Sequence, residues 1–131
     1  MTHVTKETAV MLKEKGYNLT CRHYYHVKQD SPQPNNSCLN DYNTDPLLSD
    51  VYISAPNIYE ATEWLRAKGV HVYAIADTIN LQDIGWNAFI QPITKNKKGG
   101  SLCEGGWRIK FPTHDQALED GIVNALKHYV K

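Results

Sequence analysis

The segment Thr113–Val130, "THDQALEDGIVNALKHYV", constrains the fold more than any other stretch of the chain. Apolar side chains fall at Ala117, Leu118, Ile122, Ala125, Leu126 and Tyr129, which is the strongest helical periodicity in the sequence. Thr113 stands as the N-cap, with Gln116 at the capping-box position. Gly121 interrupts the apolar face, where glycine costs about 1 kcal/mol relative to alanine. That cost is tolerable where the helix must approach a sheet closely, so a helix laid on a sheet is predicted.

Two more helices carry their own boundaries. Thr5 caps a first helix that runs through Ala9 and Leu12 to Lys15, and Gly16 is ready for the left-handed position beyond it. Asn57, with Glu60 three residues on, opens a second, whose face of Ile58, Ala61, Thr62 and Leu65 ends at Gly69. Strands are predicted at Arg22–Val27, Val51–Ile53, Val70–Ala76, Trp86–Gln91 and Trp107–Phe111, the last two pairing as a hairpin. The order α-β-β-α-β-β-β-α lacks regular β-α alternation. It argues for an α+β domain with helices covering one face of a mainly antiparallel sheet of four to five strands. Residues 28–50, with Pro32, Pro34, Pro46 and many Asn and Asp, read as a long polar loop.

Composition narrows the class. A chain of 131 residues with 41% apolar content can bury one core in a single domain without disulfides or metal. Its 14 basic and 14 acidic side chains cancel, leaving no long-range field toward nucleic acid or a membrane surface. The cysteines, three in number and without a C-x-x-C pair, read as reduced thiols. No signal-peptide pattern opens the sequence, and no apolar run approaches the roughly 20 residues that cross a bilayer. A cytoplasmic protein is expected.

Several stretches raise a chemistry and then fail its geometry. "CRHYYH", Cys21–His26, holds three metal-ligand side chains, but on a strand His23 and His26 point to opposite faces, and Cys38 is the next cysteine. "DYNTD", Asp41–Asp45, supplies the first oxygens of a calcium loop. Pro46 stands where that loop needs glycine and Tyr52 where it needs glutamate, so a turn bonding its own backbone is expected. "KKGGS", Lys97–Ser101, places its lysines ahead of its glycines, the reverse of a phosphate-binding loop. Cys103 with His114 as base would need a lowered thiol pKa, whereas Glu104 beside it acts the other way. No catalytic residue, metal ligand or cofactor is assigned.

Ser54–Ile75, "SAPNIYEATEWLRAKGVHVYAI", together with Thr113–Val130, resembles small uncharacterised proteins encoded by phages and mobile elements of gut bacteria. Thr5–Tyr17, "TKETAVMLKEKGY", is similar to them too. Ala55-Pro56 before a helix carrying Trp64-Leu65-Arg66, then an aromatic-rich hairpin and a closing helix, carry the likeness over about three quarters of the chain. The resemblance implies a shared fold and no particular activity. The Pro/Asn loop departs from the tight connection usual there.

Two functions follow as expectations. The first is a non-enzymatic protein-binding module with a protein partner and a weak homodimer, formed through a sheet edge and through Val10 and Met11, which lie off the buried face of the first helix. The alternative is a nucleic-acid-binding domain that stacks bases on Trp86 and Trp107, with Lys95, Lys97, Lys98, Arg108 and Lys110 nearby. A small enzyme ranks behind both.

Overall fold

The computed structural model describes residues 2–77, 85–92 and 111–130, and they form an α+β fold with three helices and two antiparallel sheets. In chain order the elements are α1 (Lys6–Glu14), β1 (Cys21–His26), β2 (Asn35–Asn40), β3 (Tyr52–Ser54), α2 (Ile58–Ala67), β4 (Val70–Asp77), β5 (Gly85–Pro92) and α3 (His114–His128). The chain divides into two compact units, residues 1–60 and 61–131. The strand expected at Trp107–Phe111 lies outside the described residues except for Phe111, whose backbone exchanges two hydrogen bonds with Trp86.

In the first unit the sheet order is β2-β1-β3. Thr5 caps α1 by accepting from the Thr8 amide, and Gly16 takes φ 94°, which glycine adopts without strain. Ala9 and Leu12 of α1 are buried with Val4, Tyr17, Tyr25 and Ile53. Tyr25 Oη donates to the Val4 carbonyl at 2.7 Å, while the Val4 amide donates to Pro56 O at 3.0 Å. These bonds lay the N-terminal segment beside the entry to α2. There Asn57 and Glu60 exchange backbone-to-side-chain bonds of 3.2 and 2.8 Å, the reciprocal cap read from the sequence.

Asn35–Asn40 corrects the long-loop expectation. This strand is polar and exposed on both faces, so no apolar alternation marks it, and its pairing comes from the β1 backbone. A register shift opposite Cys21–His23 leaves three residues of β2 between the Asn36 and Asn40 pairings, against one of β1, which is a bulge. The neighbouring Asp41–Asp45 turn does bond its own backbone, through the Asn43 and Thr44 amides to Asp41 Oδ1, both at 3.2 Å.

In the second unit α3 packs on the β4-β5 pair. Thr113 caps it, accepting from the Gln116 amide at 3.1 Å, and Ala117, Leu118, Ile122, Ala125 and Leu126 are buried. A β-carbon at Gly121 would stand 2.7 Å from Val72 Cγ1 and 2.9 Å from Ala88 Cβ. The glycine therefore serves the close approach its position implied.

Candidate functional site

Of the expected contact residues, Val10 and Met11 belong to the first unit and Trp86 to the second. Val10 and Met11 are half-buried on α1. Strand alternation puts Trp86 on the same side of β5 as Ala88, the side facing α3, and its half-buried ring meets His114 edge-on at 5.1 Å and 88°. Trp86 thus packs against the start of the helix. Trp107, Cys103, Lys97–Ser101 and the associated basic residues Lys95, Arg108 and Lys110 lie outside the described residues.

Histidines and thiols follow strand geometry. His23 shares its side of β1 with the buried Tyr25, and its ring lies 4.1 Å from that of His3. His26 points the other way, 5.8 Å from the Tyr52 ring, in a cluster where Tyr24 and Tyr42 also meet Tyr52 at 4.6 and 6.0 Å. Cys21 Sγ donates to the His23 carbonyl at 3.2 Å. Burial pushes its pKa up, with smaller lowering contributions from hydrogen bonds to Ser54 and Ala55, so the thiol stays protonated and a poor nucleophile. Burial, and then the charge of His23, lowers the pKa of His3. Among the described residues no group of three or more His, Cys, Asp or Glu converges as metal ligands.

A different surface is assembled by backbone pairing in the first unit. The Val27 amide donates to Val51 O at 2.9 Å, which sets two exposed valines side by side on one face of the sheet. Ahead of Val51 the chain makes helical-type turns: the Leu48 and Ser49 amides reach Asp45 O, and the Val51 and Tyr52 amides reach Leu48 O, at 2.9–3.1 Å. Leu47 lies within these turns, four residues before Val51. It is 87% exposed and its amide is fixed to Asp45 Oδ1 at 2.9 Å, which makes it a solvent-facing apolar side chain on an ordered turn.

Lys6 and Lys13 hold α1 against this end of the sheet. Lys6 Nζ donates to Val27 O and Gln29 O at 3.2 and 2.6 Å and pairs with Asp30 at 3.7 Å, while Lys13 Nζ donates to the carbonyls of Ser49 and Tyr52. Val10 is four residues from Lys6 and three from Lys13, so helical spacing places it on that same side of α1. Sequence reasoning singled out Val10 and passed over Val27, Leu47 and Val51, because the Val27–Val51 adjacency exists only once β1 and β3 pair and Leu47 stands on a turn that no periodicity marks.

The second unit carries an aromatic ladder. On the β4-β5 face turned away from α3, His71 stacks on Tyr73 at 5.0 Å, and Tyr73 stacks on Phe89 at 5.6 Å with their planes 17° apart. Neither strand contains Lys or Arg. The described residues define a small α+β protein. No known protein family, curated protein or solved structure matches the chain.

Proposed function

We propose that the protein is a non-enzymatic, protein-binding accessory module of the phage or mobile-element type, and that the patch of Val27, Leu47 and Val51 is its contact surface. The observation that carries this reading is Leu47, held almost fully in solvent on an ordered turn that leads into the exposed pair of Val51 and Val27. Preorganised apolar side chains contribute to binding with little ordering cost, and covering three of them yields about 3–5 kcal/mol before the cost of association. The protonated, buried Cys21 supports the non-enzymatic part of the reading. A cytoplasmic setting accords with the free thiols of Cys21 and Cys38, and no helix among the described residues is long and apolar enough to cross a membrane.

Affinity capture from the native host, with Leu47→Asp and Val51→Asp beside the parent protein, tests the assignment. A partner recovered at least about ten-fold less with either variant is the expected result. Equal recovery with both would remove the patch from the interface.

The His71-Tyr73-Phe89 ladder favours a second reading, base stacking with single-stranded nucleic acid. Without cations on β4 or β5 to meet phosphates, binding weaker than roughly 10 μM at physiological salt is expected. A tight oligonucleotide complex lost on Tyr73→Ala would give this reading precedence.

A further inference from the structure

The two edges of the first sheet are unlike. On β3 the outward-facing backbone groups are already engaged: the Tyr52 amide donates to Leu48 O at 2.9 Å, the Tyr52 carbonyl accepts from Lys13 Nζ at 3.3 Å, and the Ser54 amide donates to Asn43 Oδ1 at 2.9 Å. Asn43 is itself buried and anchored by its Nδ2 to Tyr17 O at 2.9 Å, so this closure is built into the fold. No additional strand can join there without dismantling it.

β2 is the opposite case. Among the described residues no strand pairs with its outer side, and all of it but Asn40 is exposed. β1 uses Val27 and His23 to bond toward the β3 side, so by alternation Tyr24 bonds toward β2. Its partner Asn35 then points inward, and the next residue, Asn36, turns its N–H and C=O outward.

Edges that avoid their own copies carry a lysine, another charge, a proline or a bulge. Asn35-Asn36-Ser37-Cys38-Leu39-Asn40 has the bulge but no charge and no proline. In an antiparallel pairing about a two-fold axis each residue meets one from the same six, so a charge within the strand would face its own kind nearby. An uncharged strand of amides and a hydroxyl meets side chains that both donate and accept. Leu39, 58% exposed, gains apolar cover in the same pairing.

We infer that β2 is a self-association edge whose occupant is a second copy of this chain, added antiparallel to give a sheet continuous across the two-fold. This contact is separate from the Leu47 patch and does not depend on it. The bulge at Ser37–Leu39 shortens the regular ladder, which makes the dimer weak and sets its range at micromolar concentrations and above. With no charge in the strand, association is insensitive to salt.

Light scattering on the full chain from about 10 to 300 μM, at low and high salt, tests this. The parent is expected to rise from a 14.9 kDa monomer toward twice that mass equally at both salts. Ser37→Lys, an exposed substitution, and Asn36→Pro, whose lost N–H faces solvent in the monomer, are each expected to weaken the dimer at least ten-fold. Thermal melts show whether each variant folds. Should Asn36→Pro fail to fold, Ser37→Lys decides alone. A parent that stays monomeric throughout, or a dimer that survives Ser37→Lys, overturns the inference. A monomer that binds a foreign strand, lost on Ser37→Lys, overturns the choice of occupant. Leu47→Asp leaves the dimer unchanged, which keeps this result apart from that of the partner patch.

Discussion

Single residues carry two predictions whose signs follow from position. The His3 ring lies against His23 and feels the charge of Glu60; burial and His23 favour its neutral form over the attraction of Glu60. Its folded pKa is below the ordinary 6.5, so the unfolded chain takes up this proton first as pH falls. Stability from this group is present above 6.5 and lost as pH drops through that value toward the folded pKa. Thermal melts between about pH 7.5 and 5.5 are expected to show a falling Tm whose slope is shallower in His3→Gln. At Gly121, alanine would regain about 1 kcal/mol of helix propensity but push its methyl into Val72 and Ala88. Overpacking costs about 1–3 kcal/mol, so a net loss of up to about 2 kcal/mol is expected in denaturant titration of Gly121→Ala. The same residue shows how far sequence reading reaches: its place in the apolar face of α3 announced the close approach, while the identities of Val72 and Ala88 required the β4-β5 register.

Elements were legible where side chains mark their own boundaries. Thr5, Asn57 and Thr113 each cap the helix assigned to them, because a capping bond spans three residues and depends on nothing distant. Thr113→Ala is accordingly expected to lose about 1 kcal/mol, read as a lower midpoint in urea. β1, β4 and β5 announced themselves through β-branched and aromatic content. β2 did not, since Asn35–Asn40 has neither an apolar face nor strong strand formers and exists by pairing with β1. Trp86 shows the same limit: its strand was readable, but which face meets α3 was fixed only by packing.

At the scale of the whole molecule, the α+β class and antiparallel pairing followed from element order, whereas the distribution of the described strands over two sheets did not. The proposed contact surface was least legible of all. Val27 and Val51, 24 positions apart, become neighbours through one backbone pairing, and Leu47 is set out on the turns ahead of Val51, neither of which periodicity records. The central claim, that this patch is where a partner protein sits, is tested most directly by a photo-crosslinking amino acid placed in turn at Leu47, Val51 and Leu19 in the native host. Leu19 is also exposed, at 46%, and serves as the apolar control away from the patch. One discrete adduct at Leu47 and Val51, absent at Leu19, is the predicted result; no adduct at Leu47, or the same adducts at all three positions, would contradict it.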